Sequence, residues 1–113
     1  MLVLMIAVRG VKGYMEKGLC ENRVHLIGKV VTPFVYSHSV YGENFYTFHL
    51  EVLRESGNKD IIPIMLSNRL LDVTDTIVNK FLDINGQFRS YNKHLGDGKT
   101  VLVLYVFVNT LEF

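Results

Sequence analysis

The chain has no tryptophan, one cysteine and two prolines, and its charges nearly cancel. The lone Cys20 excludes an internal disulfide and fits a reducing compartment. It has no CxxC or CxxH neighbour, and His25, His38, His49 and His94 have no metal-ligand spacing, so no metal site is expected. Twelve Lys and Arg against eleven Asp and Glu give a formal charge of +1, which excludes nucleic-acid binding by bulk charge alone. The apolar run Met1-Leu2-Val3-Leu4-Met5-Ile6-Ala7-Val8 falls far short of the roughly 20 residues of a membrane span. It also lacks the basic stretch that precedes a signal-peptide core. There is no phosphate-cradling glycine loop, HExxH motif, nucleophile elbow or carboxylate pair, so neither an enzyme nor a cofactor is expected.

What is present leans strongly to one kind of structure. Hydrophobic residues make up 49% of the 113 residues and charged residues 20%, enough for one domain with its own core. Seven Phe and six Tyr accompany short runs of Val, Ile and Thr, a β-forming composition. Charge is unevenly spread. Arg89, Lys93, His94 and Lys99 face only Asp97 in one stretch, and Arg9, Lys12, Lys17, Arg23 and Lys29 outnumber Glu16 and Glu21 in another. Acids gather at Glu51, Glu55, Asp60, Asp72, Asp75 and Asp83. Residues 1–20 read as an N-terminal extension, with Met15 an alternative start, and residues 21–113 as the domain.

Periodicity divides that domain into strands. Residues 23–31 alternate Val24, Leu26 and Val30 against His25, Ile27 and Lys29, and Gly28 marks a sharp bend or bulge. Pro33 interrupts, and the chain stays extended through Phe34-Val35-Tyr36-Ser37-His38. After a turn at Tyr41-Gly42-Glu43-Asn44, residues 45–54 place Tyr46, Phe48, Leu50 and Val52 inward and Phe45, Thr47, His49 and Glu51 outward. Ser56-Gly57-Asn58-Lys59-Asp60 turns into a short strand over 61–66, with Pro63 at an edge or bulge. Ser67 would cap a short helix holding Leu70, Leu71, Val73 and Ile77, stopped by Asn79. From Lys80 onward Leu82, Ile84, Gly86 and Phe88 share one face, and Gln87, Arg89 and Tyr91 the other. A loop over 92–100 leads to a last strand over 101–109. Three strands, a helix and two strands predict an all-β, five-stranded Greek-key OB-fold barrel with one short helix between strands three and four.

Three segments carry a family resemblance. Asn22-Arg23-Val24-His25-Leu26-Ile27-Gly28-Lys29-Val30, Phe48-His49-Leu50 and Gly86-Gln87-Phe88-Arg89-Ser90 resemble, in order and spacing, the bacterial single-stranded DNA-binding proteins. Residues 36–54, with Tyr41-Gly42-Glu43-Asn44-Phe45-Tyr46-Thr47-Phe48, are most similar to a divergent Firmicutes or phage-type branch. The resemblance spans roughly residues 22–113. It implies passive coating of exposed strand in replication, recombination or repair, in the cytoplasm and as a homo-oligomer, dimer or tetramer. Replication or phage proteins are the further partners it suggests, and no membrane. The sequence departs from the family pattern at positions near Ser56, Ile61 and Lys93, where relatives carry base-stacking rings, and no acidic tail follows Thr110-Leu111-Glu112-Phe113, as in a fragment.

Single-strand binding needs cations along the phosphates and rings beneath the bases. An OB-fold supplies them on the face centred on strands two and three and on the loops beside it. The candidates are therefore Phe45, Thr47 and His49 on the second strand and Arg54 at its end. Tyr36, His38 and Tyr41 lie in the first hairpin and Lys29 on the first strand, while Gln87, Arg89, Tyr91, Asn92 and Lys93 lead into the last hairpin. Competing structural roles are a cross-strand pair between Tyr36 and Phe45 and an ion pair of Arg89 with Asp83. Tyr105 and Phe107 suit a subunit interface as readily as DNA. The alternative function is a protein-interaction or assembly module of a primosome or phage replication complex, which the near-neutral charge and the missing tryptophans favour.

Overall fold

The computed structural model describes residues 21–72 and 77–113. The expected extension over 1–20, with Cys20 and Met15, lies outside them. Six strands follow in order: β1 (Val24–Val30), β2 (Val35–Val40), β3 (Glu43–Leu53), β4 (Lys59–Ser67), β5 (Phe81–His94) and β6 (Thr100–Glu112). The expected count of five rises to six because the chain breaks at Pro33, which has no amide hydrogen to lend a ladder. β1 before the break and β2 after it then do the work of a single bent strand.

The ring closes through β1–β5, β5–β6, β6–β4, β4–β3 and β3–β1, all antiparallel except the parallel β4–β6 pair. This closed, uneven sheet is consistent with the expected OB-fold. β1 turns the corner by changing partner. Val24–Lys29 face β5, and Lys29 and Val30 then meet Glu51 and Leu50 of β3. The strands cross closely at Gly28, where an added Cβ would stand 2.5 Å from the Glu51 carbonyl oxygen and 2.9 Å from the Leu50 side chain. Any larger residue would force the two backbones apart.

Inside the ring, the inward members of each alternating strand form one core. Val30, Phe48, Leu50, Ile64, Leu66, Leu82, Ile84, Val106 and Val108 are almost fully buried. Each such side chain contributes about 1.5–3 kcal/mol relative to exposure. Phe34 meets Phe48 edge-on, with centroids 4.9 Å apart, and packs against the core from the segment between β1 and β2. Pro63 sits where β4 pairs with β3 alone, since the pairing with β6 begins at Ile64.

The expected helix is a correction: no helix occurs among the described residues. Ser67 does act at its position, its hydroxyl accepting from the Arg69 amide (3.2 Å), but its carbonyl accepts from Leu70 (3.0 Å), a turn rather than a helical step. Asn68, Asp72 and the β-branched Ile77 and Val78 are poor helix formers, because they bond locally to the backbone or lose χ1 freedom. Residues 73–76, where Val73 was expected inside the helix, lie outside the described residues. Asn79 is left-handed as expected (φ 74°), and its amide donates to Val30.

The last hairpin reaches beyond the barrel as a two-stranded arm. Pairing continues to His94 and Thr100, so the expected loop over 92–100 shrinks to residues 95–99. From Arg89 to His94 every residue of β5 is exposed.

Candidate nucleic-acid interface

Residues directly opposite one another in a sheet share a face. On the outer surface this produces an unbroken row across five strands: Val35, Thr47, Met65, Phe107 and Gln87. His38 lies beside Phe45 next to that row, and Arg89 lies beside Tyr105, with Tyr91 and Lys93 farther along the arm. The side chains interlock. The His38 and Phe45 rings stack at 4.9 Å and 14°, and Phe45 meets Phe107 at 5.8 Å. The Arg89 guanidinium carbon lies 3.8 Å from the Phe107 ring centroid. Tyr91 and Tyr105 are 5.9 Å apart.

This band brings His38, Phe45, Thr47, Gln87, Arg89, Tyr91 and Lys93 together from the expected set. Phe45 lies on the outer face as expected, yet it is only 8% exposed because His38 and Phe107 cover it. Thr47 is half-buried and donates to the Val35 carbonyl at 3.5 Å. His49 is exposed on the same face, one pair further along, opposite Pro63. Phe107 and Tyr105 complete the band. Their alternation against Leu104 and Val106 was the only sequence signal for them.

Other expected residues stand apart. Tyr36 opposes Tyr46, not Phe45, and its hydroxyl bonds Ser39 at 2.7 Å on the reverse side of the β2–β3 ribbon. The cause is a bulge between Tyr36 and His38, since one extra residue reverses the side-chain alternation. Asn92 alternates with Tyr91 and Lys93 and so faces the other side of the arm. Tyr41 projects from the β2–β3 turn, fully exposed, in the left-handed region (φ 48°) that non-glycine residues rarely adopt. Lys29 pairs with Glu51 at 3.9 Å, and Arg54 with Asp60 at 3.2 Å.

Those ion pairs sharpen the electrostatics. Arg23, Lys29, Arg54, Lys59, Arg69 and Lys99 all have a carboxylate within 4.0 Å, as does His25 with Asp83. Asp83 is thus engaged by His25 and not by Arg89. Among the described residues Arg89 and Lys93 have no carboxylate partner, and both lie on the band. Beside it, Glu43 is held below its ordinary 4.5 by hydrogen bonds from the Ser67 hydroxyl and then from Arg69. That anchors the turn after β4 to the β2–β3 hairpin.

A ring-lined face with two uncompensated cations lies across a closed five-strand barrel, the architecture of the OB-fold class. No protein-family model matches the chain, and no curated protein does. Solved structures do. The dimeric N-terminal domain of PriB protein from Thermoanaerobacter tencongensis is 43% identical, with a TM-score of 0.68 over 80% of this chain and 93% of that one. Two others share the fold. The mitochondrial single-stranded DNA-binding protein Rim1 from S. cerevisiae is 11% identical, with a TM-score of 0.64 over 83% of this chain and 95% of that one. A small single-stranded DNA-binding protein from Streptomyces coelicolor is 12% identical, with a TM-score of 0.63 over 83% and 94%. The chain belongs to the family of that PriB N-terminal domain, and it shares its fold with the two single-stranded DNA-binding proteins.

Proposed function

We propose that the protein binds single-stranded DNA without turnover, in replication, recombination or repair, along the band formed by His38, Phe45, Phe107, Arg89 and Tyr91. The observation that carries this reading is the Arg89 guanidinium held over the Phe107 ring, 3.8 Å from its centroid. A guanidinium held against a ring keeps its hydrogen-bonding fork in one plane, available to a phosphate or to the face of a base. Tyr91, half exposed one pair further out, offers a second stacking surface, and Lys93 a second phosphate contact. Phe45 supports His38 from beneath. The relatives named above support the reading, two of them being single-stranded DNA-binding proteins.

The reading includes a homodimer, as the PriB domain forms. A row across the outer face away from the arm runs Phe81, Lys29, Glu51 and Ile61. Phe81 and Ile61 there are 64% and 54% exposed, with Ile27 nearby at 57%. Its central charges are already paired, so a second copy could cover the apolar rim without stranding a charge.

Fluorescence anisotropy of labelled oligo(dT) at two salt concentrations tests the function, with a duplex of the same length as control. Tight binding to the single strand is expected. With Arg89 and Lys93 as the phosphate contacts, its logarithmic salt slope is expected near −1.4 per protomer, about 0.7 for each contact. A flat salt response, or equal affinity for duplex, refutes the reading.

A further inference from the structure

We infer that the outer edge of β5, from Ser90 to His94, is a docking site for an extended segment of a partner protein in which apolar and acidic residues alternate. The edge begins where β1 stops. Asn22 sits beside Phe88, its side-chain amide donating to the Phe88 carbonyl at 2.7 Å and accepting from the Phe88 amide at 2.9 Å. That side chain takes the place of a neighbouring strand for one residue. Phe88 therefore turns its backbone polar groups away from β6, and by alternation Ser90, Asn92 and His94 do the same. Leu95, one step out of phase, donates its amide to Lys99 across the hairpin at 2.8 Å, as that alternation requires. Among the described residues nothing pairs with the three N–H and C=O sets beyond Asn22. The only bulge in β5 lies further back, between Asn85 and Gly86.

The two faces of the arm specify the occupant. An added strand would place alternate side chains beside Ser90 and Asn92 on one face and beside Arg89, Tyr91 and Lys93 on the other. The first face carries Leu102 and Leu104, opposite Asn92 and Ser90 and 61% and 43% exposed. The second carries the uncompensated cations. Apolar residues suit one face and carboxylates the other, which sets the period of two in the partner. The same cations disfavour a second copy of this edge, because two basic strands would be laid side by side.

The probe is a fluorescein-labelled nonapeptide alternating valine and aspartate, measured by polarisation against a control with lysine in place of aspartate. Saturable binding of the acidic peptide alone is expected. Ser90→Pro removes one edge amide that no other strand uses, and edge strands tolerate proline there. It should weaken peptide binding about tenfold or more while oligo(dT) affinity stays within about twofold. Leu102→Ser tests the apolar face independently of backbone effects and should weaken the peptide similarly. Equal binding of the lysine peptide, no saturable binding, or peptide affinity unchanged in both variants overturns the inference. So does a loss of dimer on sedimentation of Ser90→Pro, which would assign the edge to a second copy.

Discussion

The two halves of β5 share one strand and almost nothing else. Residues 81–86 pair with β1 and, from Asp83 on, with β6 as well, and Leu82 and Ile84 from that half are fully buried. Residues 89–94 pair with β6 alone and are exposed on both faces. The first half is held by the core, and its outward positions meet ion pairs such as His25 with Asp83. The second half has no core beneath it, so its side chains serve as contacts. A rigid root carrying an exposed arm lets rings and cations project outward while their base positions stay fixed, which is the condition for pre-organised binding.

That division can be broken from either end. Ile84→Ala empties a fully buried site and should lower stability by about 2–5 kcal/mol, read from the urea midpoint. DNA affinity of the protein that remains folded should change little. Tyr91→Ala should do the reverse, with the urea midpoint held within about 0.5 kcal/mol. Oligo(dT) binding should weaken by about 1–3 kcal/mol, the usual worth of one base stack. If Tyr91→Ala unfolds the protein, or Ile84→Ala costs binding and not stability, the two halves are not distinct.

The rooted half was legible in the sequence and the arm only partly so. Leu82 with Ile84, and Phe48 with Leu50, announce themselves because strand alternation with one buried face leaves a period of two. Gly28 and Asn79 were legible for a related reason, since close strand approach and left-handed backbone each restrict the residue choice. Local rules failed where distant strands decide. Lys29 and Arg54 looked available for phosphate, but the β3 register places Glu51 and Asp60 in reach of them. Phe45 alternated outward as expected, yet rings from β2 and β6 close over it. Tyr36 and His38, two apart, would share a face in a regular strand, but the bulge between them puts them on opposite sides. The helix failed because a good cap at Ser67 and a few apolar residues do not outweigh poor helix formers after it.

The boundary between the two halves rests on one side chain, so the smallest substitution sharpens the comparison most. Asn22 caps the β5 edge through both ends of its amide, in an exposed setting where each bond contributes about 0.5–1.5 kcal/mol. Asn22→Ala removes both, and a stability loss near the low end of their sum, about 1 kcal/mol, is expected because water replaces them. The local effect should exceed the global one. Amide hydrogen exchange at Phe88 should quicken toward that of the arm, while Ile84 stays protected by β1 and the core. Asn22→Asp keeps the acceptor for the Phe88 amide and loses the donor to its carbonyl, so Phe88 should exchange at an intermediate rate. Should Phe88 exchange at the same rate in all three proteins, the side chain does not set the boundary. The root must then extend by packing alone, with Phe88 held by the core rather than by its cap.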